Sequence, residues 1–154
     1  MFKRVDNNIN LASVENEISD YWDEINAFQT SLNNRKNNQI FRFYDGPPFP
    51  TGSPHYGNLL AGVIKDIVPR YWTMRGYYVE RRFGWDVHGL PIEMEVQKNL
   101  NLEDPQQIDE YGIDKFNEAC RAQVQTNTEN WEKITRKIGR WVDFENDYKT
   151  MDID

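Results

Sequence analysis

From Leu11 to Leu32 apolar side chains recur every three or four residues: Leu11, Val14, Ile18, Trp22, Ile25, Phe28 and Leu32. A stripe of that period predicts an amphipathic helix, with Asn10 or Ser13 as its cap. If all seven side chains were buried, each would contribute roughly 1.5–3 kcal/mol before entropy, as an upper bound. Residues 33–39 (NNRKNNQ) break the pattern. Phe41-Arg42-Phe43-Tyr44 then reads as a short strand. Gly46, Pro47, Pro48, Pro50, Gly52 and Pro54 follow, a loop in which neither helix nor sheet can continue. From Gly57 to Arg75 the helical period returns through Leu60, Val63, Ile64, Ile67, Val68, Tyr71 and Trp72, with Pro69 an expected kink and Gly76 a C-terminal cap. Residues 77–83 (YYVERRF) read as a second strand, and 84–91 as a second loop. A helix runs from Pro91 to about Leu100. A polar connection spans 101–112. A long helix then carries Ile113, Phe116, Cys120, Val124, Asn127, Trp131, Ile134, Ile138 and Trp141 on one stripe.

Strand, helix and strand in that order predict a parallel βαβ unit with a right-handed crossover. Both broken loops then lie at the carboxyl ends of strands, where open parallel sheets hold their ligands. The first loop also leads into a helix N-terminus, whose free N–H groups and dipole attract phosphate. The fold class expected is α/β. Residues 1–40 form a helical lead-in and 41–154 the first half of a Rossmann-like domain.

Composition narrows the partners. The chain has 154 residues and a net charge of −7, which argues against a general nucleic-acid or membrane-binding surface. Its one cysteine, Cys120, excludes an internal disulfide and a multi-cysteine zinc site, and fits a reducing cytosol. The first ten residues have no apolar core of a signal peptide, and no apolar run is long enough to span a bilayer. A soluble, cytoplasmic protein is expected. Residues 146–154 (NDYKTMDID) are polar and lack a stop signal, so the chain reads as the N-terminal portion of something longer.

Three ordered motifs carry a resemblance. Gly46-Pro47-Pro48 with His55-Tyr56-Gly57-Asn58 resembles the HIGH signature of class I aminoacyl-tRNA synthetases. Residues 84–93 (GWDVHGLPIE) and Trp141-Val142-Asp143-Phe144-Glu145 are similar to the isoleucyl branch of that family. The similarity covers nearly the whole chain. It implies activation of isoleucine by ATP, supplied with Mg²⁺ as substrate, followed by transfer to tRNA(Ile). No metal site is implied in this segment. It also implies later segments that these residues do not include: an editing insertion, a KMSKS loop and an anticodon-binding domain. Runner-up readings are a valyl or leucyl relative and a non-catalytic ATP-binding or interaction fragment.

The resemblance assigns roles to particular residues. His55 and Asn58 are the catalytic candidates. With Pro48, Gly52 and Gly57 they form the ATP side; Gly46, Pro47, Asp86 and His88 form the amino-acid side. His55, just before a helix N-terminus, can offer an N–H to phosphate, against the bland reading of a loop histidine. Gly57 lets a nucleotide approach backbone, or simply eases helix entry. Asn58 stands where the family usually has a second histidine; it can donate and accept but carries no charge. Gly46 and Pro47 wall the amino-acid pocket, or serve only as turn residues. The Asp86 carboxylate suits an α-ammonium group, or merely shapes a turn. His88 contacts substrate or orients its loop. Glu93 and Glu95, two apart, read as solvated surface, as do Arg75, Arg81 and Arg82; Cys120 reads as packing.

Overall fold

The computed structural model describes residues 8–152. In order the chain forms α1 (Leu11–Glu24), α2 (Ala27–Asn33), α3 (Tyr56–Met74), β1 (Arg82–Trp85), α4 (Leu90–Leu100), α5 (Pro105–Tyr111), α6 (Ile113–Lys137) and β2 (Asp143–Lys149). Residues 1–7 of the lead-in and 153–154 of the polar tail lie outside the described residues.

Asn10 caps α1, its Oδ1 accepting the Ser13 N–H at 3.3 Å. The single helix expected over 11–32 is two, because Asn26 takes a left-handed conformation with φ 47°. Asparagine reaches that region more cheaply than most residues. Its apolar stripe is a second departure. No α1 residue is buried, and Leu11 is 69% exposed. The anchor is the α1–α2 junction instead. Trp22 meets Trp141 edge-on at 5.3 Å, and the Arg70 guanidinium sits 4.1 Å from the Trp141 ring centre.

α3 runs through the buried Pro69 without interruption. It ends in a Schellman turn: the Gly76 N–H donates to Thr73 O and the Tyr77 N–H to Trp72 O, with Gly76 at φ +92°.

β1 and β2 pair in parallel, with Arg82 opposite Asp143, Gly84 opposite Tyr148 and Trp85 opposite Lys149. The strand expected at 77–83 is therefore displaced toward 82–85. Its long-ladder partner is β2, where the sequence reading placed a helix end and a tail. Parallel pairing with the first strand contracts to one bridge, Ile40 to Tyr78. Residues 41–44 keep the two-residue alternation without a ladder, Phe41 and Phe43 half-buried and Arg42 and Tyr44 exposed. Tyr78 bonds toward residue 40, whereas the Arg81 carbonyl, three residues on, accepts from Asp143 N. Odd spacing points successive groups to opposite sides, so segment 78–85 lies between the other two.

The polar connection also hides a helix. In α5, Asp104 is the cap, its Oδ1 accepting the Gln107 N–H at 3.0 Å, and Pro105 fills the first turn. α6 stops at Lys137, and Gly139 turns the chain at φ +73°, so Trp141 is not helical.

The core joins β1 (Phe83, Trp85), α4 (Ile92, Val96), α6 (Phe116, Val124, Trp131) and β2 (Phe144). Phe83 stacks on Phe144 at 4.6 Å. Cys120 packs at its edge, where burial and then nearby Glu93 push its thiol up, as inert packing requires. Two surface expectations fail. Glu95 accepts from Gln123 Nε2 at 3.1 Å and Asn127 Nδ2 at 3.2 Å, tying α4 to α6. Arg81 is buried, donating to the Thr73 hydroxyl and lying over Phe28; Arg75 and Arg82 are exposed, as expected.

Candidate active site

The first loop is held from several directions. Pro50 is fully buried. At the loop's entry the Asp45 carboxylate is buried between Arg140 and Lys65, whose Nζ lies 2.6 Å from Oδ1. The Lys65 contact acts through charge rather than a directed hydrogen bond. Lys65 Nζ also donates to Gly46 O at 2.8 Å. Further along, the Trp131 indole N–H donates to Gly52 O at 2.9 Å, and Asn130 Nδ2 donates to the Ser53 hydroxyl at 3.1 Å. Gly52, at φ +56°, takes a conformation that a side chain would strain.

The second loop leaves the carboxyl end of β1 and meets the first. The Asp86 N–H donates to Pro48 O at 3.0 Å. A Cβ on Gly84 would stand 3.3 Å from Pro47 Cβ and 3.5 Å from the Tyr148 ring, so glycine is what allows this approach. β2 braces the same corner. The Val87 N–H donates to the Thr150 hydroxyl at 2.9 Å, and the Trp85 indole N–H to Asp147 Oδ2 at 2.7 Å. Asp86 is half-buried, and its carboxylate has no hydrogen bond or ion pair among the described residues. The same holds for the side chain of His88, which is exposed.

His55 is the N-cap of α3. Its Nδ1 accepts the Gly57 N–H at 3.1 Å, and the Asn58 Oδ1 accepts the His55 N–H at 3.0 Å, closing a capping box. An accepting Nδ1 puts the imidazole proton on Nε2. That N–H sits on an exposed ring at the positive end of a 19-residue helix whose first turn has no acidic residue. Asn58 thereby has a structural task that needs no charge, with its Nδ2 left over as a donor. Gly57 has a reason the sequence did not suggest: a Cβ there would press on the His55 ring at 3.1 Å.

The chain thus brings Pro47 against Gly84 and Pro48 against Asp86, leaves Gly46 held by Lys65, and puts His55, Gly57 and Asn58 on one helix turn. No hydrogen bond or ion pair joins His55 to Asp86 among the described residues. A cavity of about 60 Å³ lies beneath the first loop, lined by Pro48, Asn58, Lys65, Phe83, Trp131 and Arg140. A larger one, about 590 Å³, opens between α1–α2 and the start of β2, and no expected site residue lines it. Sequence reasoning missed the residues that hold the corners: Asp45, Lys65, Trp131, Arg140, Asp147 and Thr150. Lys65, a cation on an apolar helix, was a usable signal. The Asp45–Arg140 pairing, across most of the chain, left none.

The family model described as tRNA synthetases class I (I, L, M and V) matches residues 17–154. The chain is 50% identical over 152 residues to an isoleucine–tRNA ligase of Treponema denticola, covering 99% of this chain. It is 54% identical over 143 residues, 93% of this chain, to one from Mycobacterium tuberculosis. It spans 14% of the length of each of these relatives. Among solved structures it is similar to the Agrobacterium radiobacter K84 agnB2 LeuRS in a ternary complex with tRNA and LeuAMS. That match has a TM-score of 0.64 and 22% identity, over 90% of this chain and 15% of that one.

Proposed function

The chain belongs to the class I tRNA synthetases of the I, L, M and V group, and from that premise we propose that it supplies the HIGH-motif half of an isoleucine-activating site. The carrying observation is the meeting of the two corners through the Asp86 N–H and Pro48 O, beside a carboxylate that has no hydrogen bond or ion pair among the described residues. The segment 41–154 is the first half of the catalytic domain and 1–40 its lead-in. The longer polypeptide works in the cytoplasm on isoleucine, Mg²⁺-bound ATP and tRNA(Ile). No residue of this segment is assigned to the metal.

In this reading the isoleucine carboxylate attacks the α-phosphorus of ATP and pyrophosphate leaves; a hydroxyl of the terminal ribose of tRNA then attacks the acyl carbon of the adenylate, the acyl–phosphate bond breaks, and AMP leaves. No covalent enzyme intermediate forms, so alignment and charge carry the rate; alignment alone can supply roughly 7–11 kcal/mol. Asp86 holds the α-ammonium by a charge-assisted bond. Gly46 and Pro47 wall the amino-acid pocket, and His88 stands with Asp86 on the second loop. His55 Nε2–H and Asn58 Nδ2 donate to the phosphates at the α3 N-terminus, and Pro48, Gly52 and Gly57 let the nucleotide lie close to backbone.

The test is isoleucine-dependent pyrophosphate exchange by the full-length synthetase carrying this segment, with His55→Asn beside His55→Ala. Asparagine keeps a cap acceptor but loses the imidazole donor. Exchange should fall in both variants, while only His55→Ala loses stability. Undiminished exchange in His55→Asn would reduce His55 to a cap. Running the isolated chain in parallel separates catalysis from binding: ATP affinity without exchange favours the binding-module reading.

A further inference from the structure

We propose that Arg140, with Lys65, is a positioning residue for the amino-acid corner, acting through the buried Asp45. The proposal rests on the reading of Gly46–Pro48 as the pocket wall. Asp45 and Arg140 keep only 4% and 7% of their side chains exposed, and a buried ion pair needs its geometry maintained. Arg140 is itself built in. Its guanidinium lies over the Phe83 ring, 5.3 Å from the centre. Its neighbours are tied to α3: the Trp141 N–H donates to Asp66 Oδ1 at 3.1 Å, and Arg70, paired with Asp66, donates to Gly139 O. Lys65, on the same helix, reaches both Asp45 and the Gly46 carbonyl.

The turn between α6 and β2 is thus fastened to α3, and both hold the residue immediately before Gly46. Two residues beyond that glycine, Pro48 O accepts the Asp86 N–H. A slackened clamp lets the first corner drift from the second, and the Asp86 amide then opens to solvent. Gly46 and Pro47 wall the isoleucine pocket, whereas the phosphate donors His55 and Asn58 sit at the head of α3, so the larger loss falls on isoleucine and a smaller one, through Pro48, on ATP.

The Asp86 amide reports the clamp whether or not the chain binds isoleucine. Hydrogen exchange by NMR should be followed there and at the Val124 amide in the α6 core, in Asp45→Asn, Arg140→Met and Arg140→Lys. Removing a buried charge-assisted bond should speed exchange at Asp86 about tenfold or more, with Val124 unchanged and Arg140→Lys intermediate. If Asp45→Asn fails to fold, Lys65→Met, at a partly exposed position, takes its place. In the full-length synthetase the same variants should raise KM for isoleucine about tenfold, leaving KM for ATP within about twofold. Equal acceleration at Asp86 and Val124, or no change at Asp86, overturns the clamp. Faster exchange at Asp86 with no isoleucine dependence in any variant keeps the clamp and removes the functional reading.

Discussion

One side of the molecule is closed and the other open. Around β1 and β2, residues from four elements bury Phe83, Trp85, Val124 and Trp131 to 5% exposure or less. Along α3 the apolar positions that look equally core-like face outward: Leu60, Ile64 and Ile67 are each more than half exposed. Both regions have the periodicity of a core, so periodicity identifies a face meant to be covered without saying by what. The closed side holds the two corners from beneath. The open side is an apolar surface of the kind that marks an interaction site.

The comparison can be broken most severely from the closed side. Phe83→Ala should cost roughly 3–5 kcal/mol, since Phe83 is 2% exposed and stacked on Phe144. Urea titration checks this, and a loss under about 1 kcal/mol would mean the core is looser than described. His55→Ala should cost roughly 0.5–2 kcal/mol as a lost cap, while His55→Asn, which keeps a cap acceptor, should leave stability unchanged by the same titration.

At the start of β2, burial raises the Asp143 pKa, but hydrogen bonds from Asn146 and Glu145, with Arg82 nearby, outweigh it and leave the carboxyl below its usual value. A depressed folded pKa gives stability that is fully present above the unfolded value of about 3.9 and is lost as pH falls through the folded one. Asp143→Asn should flatten stability in that acid window and leave its slope at neutral pH unchanged. Least in stability, Ile64→Lys with Ile67→Glu should shift unfolding by no more than about 0.5 kcal/mol. If copies of the chain associate through this open face, the same pair should abolish that association, as sedimentation velocity would report. An unchanged sedimentation profile would mean that face is not what associates.

Much of this was legible. The caps at Asn10 and Gly76, the helix α4 and the Pro/Gly corners follow from local chemistry that tertiary contacts did not override. What was missed depends on distant partners. β2 looked like a helix end and a tail because the polar Asp143, Glu145, Asn146 and Asp147 surround the one buried residue, Phe144, and because Asp147's bond with Trp85 reaches a distant element. Gly139 was the stop signal that could have ended α6. Arg81 read as surface because its partners Thr73 and Phe28 lie on other elements. The candidate site residues were readable from motif, yet the bond from Asp86 to Pro48 and the grip on Asp45 come from folding alone.

The central claim is that two loops far apart in sequence make one ligand cleft with the head of α3. NMR titration of the chain with a non-hydrolysable isoleucyl-adenylate analogue tests it most directly, through intermolecular contacts to labelled His55 and Asp86. The imidazole should lie beside the phosphate and the carboxylate beside the ammonium of one bound molecule. A ligand that touches only one of them, or that settles instead between α1 and β2, would contradict it.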